Sequence, residues 1–395
     1  MTKKLKGNED FAGLSRAEKT LPSLAYYDPA YFRQELENIW FKDWVYLCRS
    51  SSLEGPRAYR TFTIADQGIL LLRDGDGVLQ AFHNTCRHRG SVLRKDEAGR
   101  FNAKLIICPY HQWSFSMQGD LVRTTSLSEA SDFCKEDYPL YRVAMTEWRG
   151  CVFVSLAEDP EPFEAAFRDE LPILSNWPLE DLVVGHHWQK TMTCNWKTFW
   201  ENYMECLHCP DVHPELTALM PMAGRRINAM KDDPNWKDYE GSTDPALVGG
   251  LREGAETWTF DGKAAKHRFD DLSDTQRDSG QTFMTLLPTI YVAAHVDYVR
   301  IVRLMPLGPE ETEIQAEWLF PEETLADPDF DLENTVGFAK LVMQQDAVAS
   351  EMNQRGMHSI RFDHGVLMPE ENYVHEFDQW QRVKMGRANT GKPET

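Results

Sequence analysis

The chain has 395 residues, 42% of them hydrophobic, so it can bury a full core in one large or two ordinary domains. Its formal net charge of -20 argues against nucleic acid or an anionic membrane as a partner, because both bind basic faces. There is no apolar run long enough to span a bilayer, and MTKKLKGNEDFAG lacks an apolar signal core, so we expect a cytoplasmic protein. Eight cysteines are too sparse for a disulfide scaffold and favour metal ligation in a reducing compartment.

The predicted elements change character along the chain. Residues 1–39 predict a leader with one helix that packs on the second domain, since DPAYFRQELENIWFKDW has an Asp-Pro start and helical apolar spacing. Residues 40–155 predict short strands: GILLLRD and VLQAFHN flank a Gly-Asp-Gly hairpin signal, and KLIICPY and RGCVFVSL are typical of buried strands. The Pro- and acid-rich residues 157–172 mark a boundary.

The remainder, residues 156–395, predicts a mixed second domain. TIYVAAHV, YVRIVRLMP and EIQAEWLF are typical of strands, and LENTVGFAKLVMQQDAVASEMNQRG of a long helix. Residues 222–280 have no clear period, and we interpret them as a loop that covers a pocket.

Two short motifs in the first domain combine thiolates with imidazoles. They are Cys86-x-His88 and, nineteen residues later, Cys108-x-x-His111. Structural zinc sites of this composition usually pair like ligands, as CxxC followed by HxxxH. Here each half supplies one cysteine and one histidine, which suits a [2Fe-2S] cluster with two thiolates on one iron and two imidazoles on the other. Because neutral imidazoles raise the reduction potential, such a cluster predicts an electron relay.

The motifs CxHRG and CPYHxWxF resemble the Rieske domain of Rieske non-heme iron oxygenases, over roughly residues 40–155. The resemblance implies a Rieske cluster held by Cys86, His88, Cys108 and His111. One departure is Gln112, where many relatives carry glycine.

A second cluster of polar residues lies in NWKTFWENYMECLHCPDVHPEL, residues 195–216. The three-residue spacing of Asn202, Glu205 and His208 predicts one shared helical face, and His213 follows a break near Pro210. Two histidines with a carboxylate from elsewhere would form a 2-His-1-carboxylate iron(II) site with open positions.

Two other interpretations of this segment stay open on the residues alone. The histidine pair could be structural. The pair Cys206-x-x-Cys209 could be a thiol-redox motif or half of a zinc site.

The same segment is similar to the oxygenase motif NxxExxHxxxxH. The resemblance implies that His208 and His213 bind the mononuclear iron and that Asp346, on the long helix, is the third ligand. The alternative for Asp346 is an exposed helical carboxylate beside Gln344 and Gln345. Asp329 and Asp331 are poorer ligand candidates because they sit at or before the helix start.

The resemblance also implies the rest of the machinery. Glu205 matches a carboxylate that bridges a Rieske histidine of the neighbouring subunit to a mononuclear-iron histidine, and Asn202 would position it or be an ordinary surface residue. The implied fold is α+β: a Rieske all-β domain and a helix-grip catalytic domain with an antiparallel sheet and a long helix over 331–357. The implied assembly is a homotrimer. NAD(P)H electrons would enter through a separate flavin and iron–sulfur reductase, since no GxGxxG opens a βα unit here.

The substrate is the least constrained prediction. A glutamate at position 205 and the segment 295–320 resemble the branch that oxidises carnitine, choline and glycine betaine. A methylammonium group has no N–H donors, so a pocket would bind it through aromatic faces. The candidates, each of which could instead be core packing, are Tyr203, Trp258, Phe283, Tyr291 and Tyr298.

We therefore expect oxidation of an N-methyl group to a hemiaminal that loses formaldehyde. The alternative enzyme would hydroxylate an aromatic acid or hydrocarbon. The alternative of another class is a Rieske electron carrier with a vestigial second domain.

Overall fold

The structure, a computed structural model, describes residues 11–386. Residues 1–10 of the predicted leader and 387–395 of the predicted second domain lie outside this range. The described chain forms two compact units, residues 39–166 and residues 11–38 together with 167–386. Residues 156–166, expected in the second domain, belong to the first unit, because Phe163 packs against Trp44, Trp148 and Phe153.

The strands, in chain order, are β1 (Glu18–Lys19), β2 (Val45–Arg49), β3 (Ala58–Ile64), β4 (Gln67–Arg73), β5 (Leu79–His83), β6 (Ala98–Arg100), β7 (Leu105–Ile107), β8 (Ser114–Ser116), β9 (Leu121–Arg123), β10 (Ala144–Trp148), β11 (Cys151–Ser155), β12 (Val183–Met192), β13 (Thr282–Leu286), β14 (Ile290–Ala294), β15 (Val299–Gly308), β16 (Glu311–Phe320) and β17 (Val366–Leu367).

The helices, in chain order, are α1 (Pro29–Glu35), α2 (Phe163–Ala166), α3 (Trp196–Tyr203), α4 (Cys209–Val212), α5 (Pro214–Leu219), α6 (Pro245–Val248), α7 (Asp274–Ser279), α8 (Glu322–Ala326), α9 (Leu332–Met357) and α10 (Asn372–Lys384). No helix within residues 11–386 is long and apolar enough to cross a membrane.

The first unit is built from three small antiparallel sheets, ordered β5-β4-β3-β6, β7-β8-β9 and β10-β11-β2. The predicted hairpin is confirmed: β4 pairs with β5, and Gly77 takes the positive φ of 87° that its turn requires. The first two sheets share one apolar core, which includes Cys86 and Cys108 beside Phe82 and Phe115. The two cysteines are therefore placed by core packing as well as by their loops.

The second unit is organised around a five-stranded antiparallel sheet, ordered β12-β16-β15-β14-β13. The predicted long helix is confirmed as α9, which starts where Asp331 accepts a hydrogen bond from the backbone N–H of Asn334 at 3.0 Å. Asp331 thus caps the helix. Segment 222–280 contains short helical turns, and it supplies Leu251 and Trp258 to a buried cluster with Phe338 of α9.

A buried ion pair fastens the N-terminal segment to α3. Nζ of Lys197 lies 2.6 Å from Oε1 of Glu35, and both side chains are fully buried. Trp196 and Gln381 also donate to this carboxylate, at 3.1 Å each. Burial raises the pKa of Glu35 and lowers the pKa of Lys197, and the attraction between the two charges opposes both shifts. Helices α1, α3 and α10 therefore meet at one carboxylate.

We expect Lys197→Met to lower the free energy of unfolding by about 3–5 kcal/mol, because it leaves the carboxylate of Glu35 buried without its counter-charge. The control is Arg33→Met, which removes an exposed pair with Glu37 at 2.7 Å and should cost less than about 1 kcal/mol. Urea unfolding followed by tryptophan fluorescence measures both. Equal, small losses would show that the buried pair does not fasten the segment.

Candidate metal centres

The two cysteine–histidine loops share one backbone plan. The N–H of Gly90 donates to the carbonyl of Cys86 at 3.0 Å, and the N–H of Gln112 donates to the carbonyl of Cys108 at 3.0 Å. Both residues at this fourth position have positive φ, 72° for Gly90 and 58° for Gln112. Glycine adopts this conformation freely, whereas a residue with a Cβ is strained by roughly 1–2 kcal/mol. The departure at Gln112 therefore falls on a position where the fold favours glycine.

The cysteine and histidine side chains of these loops differ in how deeply they are buried. Cys86 and Cys108 are 3% and 1% exposed, and burial raises the pKa of the Cys86 thiol to about 11. The imidazoles of His88 and His111 lie further out, with ring centroids 4.8 Å apart, and His88 stacks on Trp113 at 4.7 Å. Two inner sulfurs and two outer imidazoles fit a Rieske cluster, in which Cys86 and Cys108 would hold one iron and His88 and His111 the other.

The second site begins where α3 ends. The predicted shared helical face is wrong, because α3 stops at Tyr203 and residues 204–208 form a turn; Pro210 opens α4 instead of breaking a helix. The turn still brings the predicted residues together. Nδ1 of His208 lies 2.6 Å from Oε1 of Glu205 and 3.3 Å from Nδ2 of Asn202.

A disulfide between Cys206 and Cys209 closes this turn. It uses both sulfurs, which argues against the zinc half-site. Its two cysteines enclose His208 in the chain, so the disulfide limits how far the turn can open.

The carboxylate of Asp346, midway along α9, meets both histidines. Its Oδ1 lies 2.8 Å from Nε2 of His213 and 3.4 Å from Nε2 of His208. One ligand atom from each of the three residues falls within 4.8 Å of the others. Two imidazoles and one carboxylate, which leave open positions, are the donor set of mononuclear iron(II) oxygenases. The residues present fit that metal.

Gln345 is a functional candidate that sequence reasoning missed. Its Oε1 accepts a hydrogen bond from Nδ1 of His213 at 2.8 Å, which fixes the ring so that Nε2 points towards Asp346. A glutamine beside Asp346 is equally compatible with an exposed helix face. No signal in the sequence distinguishes these two roles.

The site attracts positive charge. Burial alone would lower the pKa of His208, but its hydrogen bonds to Asp346 and Glu205 outweigh burial and raise that pKa to about 9. Burial alone would raise the pKa of Asp346, but the hydrogen bonds of its carboxylate with His208 and His213 hold that pKa below its usual value. The carboxylates thus favour a cation between them, which a metal ion can supply.

Four of the predicted substrate residues form a continuous aromatic wall. Tyr203 stacks on Tyr291 at 4.2 Å, Tyr203 lies 6.3 Å from Phe283, and Phe283 lies 6.0 Å from Trp258 between ring centroids. Tyr298 is fully buried behind this wall, where its hydroxyl donates to the carbonyl of Trp258 at 2.9 Å. It thus supports the backbone of Trp258, and its ring stacks on His295 with 4.4 Å between ring centroids.

Two family models cover most of the chain. The model described as "Ring hydroxylating alpha subunit (catalytic domain)" matches residues 179–387, and the "Rieske [2Fe-2S] domain" matches residues 43–138. The chain belongs to the ring-hydroxylating alpha-subunit family of Rieske non-heme iron oxygenases. It is thus an oxygenase that uses a Rieske cluster and a mononuclear iron and receives electrons from a reductase.

Relatives of this Rieske oxygenase include the glycine betaine monooxygenase oxygenase subunit of Chromohalobacter salexigens, 28% identical over 89% of this chain and 82% of the relative. The carnitine monooxygenase oxygenase subunit of Escherichia coli is 33% identical over 52% of this chain and 55% of the relative. A solved quaternary ammonium Rieske monooxygenase, studied for carnitine oxidation and inter-subunit electron transfer, superposes with a TM-score of 0.72 at 20% identity, covering 96% of this chain and 99% of its own.

We expect Gln112→Gly to stabilise the first unit by about 1 kcal/mol, because glycine relieves the positive φ. Thermal unfolding of the cluster-loaded protein, followed by cluster absorption, measures the gain. Gln112→Ala keeps the Cβ and is the control, which should show no gain. Equal midpoints for glycine and alanine would contradict the strain argument.

We expect Asp346→Ala to abolish mononuclear iron binding and product formation while the visible absorption of the cluster persists, because the substitution removes one of three ligands. Metal analysis after anaerobic reconstitution measures this. The control, Asp331→Ala on the same helix, should lose only a cap, about 1 kcal/mol of stability, and keep its iron. Bleaching of the cluster by Asp346→Ala would refute the assignment.

Proposed function

We propose that this Rieske oxygenase oxidises an N-methyl group of a betaine-like quaternary ammonium compound. The observation that carries the proposal is the aromatic wall beside the histidine–carboxylate site. Tyr203 stands five residues before His208 and stacks on Tyr291. Burial raises the pKa of Tyr291, and the carboxylate of Asp346 makes a smaller contribution in the same direction. The similarity to glycine betaine and carnitine oxygenase subunits supports the same substrate class.

Aromatic faces suit the chemistry of this head group. A quaternary ammonium group is cationic but cannot donate a hydrogen bond, so each ring face would contribute about 0.5–2 kcal/mol through its quadrupole. Burial raises the pKa of Tyr203 to about 12, which keeps the phenol neutral. The hydroxyl groups of Tyr203 and Thr285 lie 3.4 Å apart, which fixes the ring edge. The wall can thus orient a methyl group towards the three ligand side chains.

We propose that His208, His213 and Asp346 hold the mononuclear iron, which supplies dioxygen activation when bound. The protein's own residues hold the geometry: Gln345 orients His213, and Glu205 orients His208 through Nδ1. The overall reaction would consume dioxygen, two electrons and two protons, hydroxylate one methyl carbon and release water. The resulting hemiaminal would break its C–N bond to give formaldehyde, a tertiary amine and a proton.

We further propose that Glu205 carries the electronic connection between centres in a homotrimer, from the cluster of one subunit to the iron of the next. Its carboxylate is held by His208 and by the backbone N–H of Leu207. It also borders a cavity of about 310 Å³ and is therefore not sealed within the unit. The electrons would come from NAD(P)H through a separate flavin and iron–sulfur reductase.

We expect Glu205→Gln to keep both metal centres but to slow electron transfer between them by roughly 10-fold or more, because the amide is a weaker acceptor than the carboxylate for the histidine N–H. Stopped-flow absorption of the prereduced cluster, mixed with dioxygen and substrate, measures the rate of cluster oxidation. Glu201→Gln is the control for replacing a carboxyl group by an amide at the same cavity, since Glu201 accepts a hydrogen bond from Tyr26 and not from His208. Wild-type cluster oxidation in Glu205→Gln would remove the bridging role.

The proposed reaction is tested by a single turnover of reduced, iron-loaded protein with dioxygen. Pooled quaternary ammonium compounds and pooled aromatic acids are offered, and products are identified by mass spectrometry. We expect formaldehyde together with a demethylated amine. Oxygenated arenes without formaldehyde would overturn the N-methyl proposal in favour of ring hydroxylation. Absence of any product from protein that contains mononuclear iron would favour an electron carrier.

A further inference from the structure

Arg300 lies in the middle of the five-stranded sheet and is only 2% exposed. On β15 it is opposite Ala293 of β14 and Trp318 of β16. Because side chains alternate across a sheet, Arg300 projects from the same face as Tyr291 and, one strand further, Phe283, which pairs with Ala293. This is the face on which the aromatic wall stands. Arg300 thus shares one face of the sheet with the aromatic residues that we propose to contact the substrate.

The guanidinium of Arg300 has donors without acceptors. Among residues 11–386, neither Nε nor Nη1 of Arg300 has a hydrogen-bond partner, although both atoms are buried. Arg303, three residues along and on the opposite face, is also buried but pairs with Glu313 at 2.7 Å. A buried charge with no partner is strongly unfavourable. Arg300 is therefore a buried cation that forms no ion pair with any of the described residues.

A second unpartnered donor lies beside it. The guanidinium carbon of Arg300 is 5.5 Å from the ring centre of Trp258, and Nε1 of Trp258 is buried without an acceptor. The nearby imidazole of His295 is neutral, since burial and the charge of Arg300 lower its pKa to about 3. The cluster thus carries one fixed positive charge and several N–H donors, an arrangement that matches a carboxylate.

We propose that Arg300, together with Nε1 of Trp258, binds a carboxylate of the substrate, while Tyr203, Tyr291 and Phe283 receive the end that is oxidised. This assigns the substrate to the zwitterionic class, a quaternary ammonium carboxylate. A cation that lacks the carboxylate would leave the guanidinium unpaired and would be repelled by it. The identity of the oxidised end rests on the proposed function, whereas the carboxylate site does not.

Two matched pairs of probes test the proposal on the holoprotein. Glycine betaine and choline share a trimethylammonium group and differ in carboxylate against hydroxymethyl; benzoate and benzyl alcohol differ in the same way on a ring. Calorimetry under anaerobic conditions gives the dissociation constants, and turnover gives the products. We expect the wild-type protein to bind the carboxylate member of a pair roughly 10- to 100-fold more tightly.

The variants separate binding from structure. Arg300→Gln should remove the preference for the carboxylate, because glycine betaine binds more weakly while choline binds equally well or more tightly once the repelling charge is gone. Arg300→Lys should keep part of the preference. Arg303→Gln, on the opposite face of the same strand, is the control and should keep the preference.

Three outcomes would overturn the carboxylate site. The first is that the wild-type protein shows no preference for the carboxylate in either pair of probes. The second and third are that the preference survives in Arg300→Gln, or that Arg300→Gln weakens binding of both members of a pair equally. The first outcome is measured on the wild-type protein, so it tests the carboxylate site even if Arg300→Gln does not fold. A preference confined to the benzoate pair, without formaldehyde, would support Arg300 as the carboxylate site and overturn the N-methyl proposal. The two proposals therefore fail separately.

Discussion

The contact between Asp346 and two imidazoles from a different part of the chain is the constraint on which the second site depends. Oδ1 of Asp346 lies 2.8 Å from His213, so α9 must be positioned along its axis to within a fraction of a helical turn. The helix is long enough to bury one face, which includes Val336, Ala339 and Met343, while the turn that carries Asp346 meets the histidines. The packing of this 26-residue helix thus fixes the position of the Asp346 carboxylate.

The same helix and sheet place the substrate-facing groups. Because strands β13, β14 and β15 pair in register, their alternating side chains bring Phe283, Tyr291 and Arg300 to one face. The histidine segment approaches this face through α3, which Glu35 and Lys197 fasten to the N-terminal segment. A rigid apolar sheet therefore presents ring faces at one position and a single positive charge at another, which is the arrangement that a zwitterion requires.

Metal chemistry made the two cysteine–histidine loops readable from sequence, since each half supplies one thiolate and one imidazole. The spacing of His208 and His213 left a structural role open, and these two residues and Asp346 were assigned as iron ligands through the family resemblance. The hairpin at Gly77 and helix α9 follow local rules and could also be predicted. The end of α3 at Tyr203 could not, because apolar spacing continues past it and the disulfide that closes the turn depends on tertiary structure. Gln345 and Arg300 were missed for a similar reason. The hydrogen-bond partner of Gln345 lies on a distant element of the chain, and whether Arg300 has a partner also depends on distant elements. A charge within the apolar run YVRIVRLMP was the available signal for Arg300.

Two separate iron centres in one chain are the central claim. Mössbauer spectroscopy of the anaerobic, isotopically enriched protein tests it most directly, because cluster and mononuclear irons have different spectra. The account predicts two inequivalent cluster irons and one high-spin ferrous iron per chain, with the ferrous signal alone perturbed when glycine betaine is added. Cluster iron without a ferrous component, after full reconstitution with iron, would contradict it.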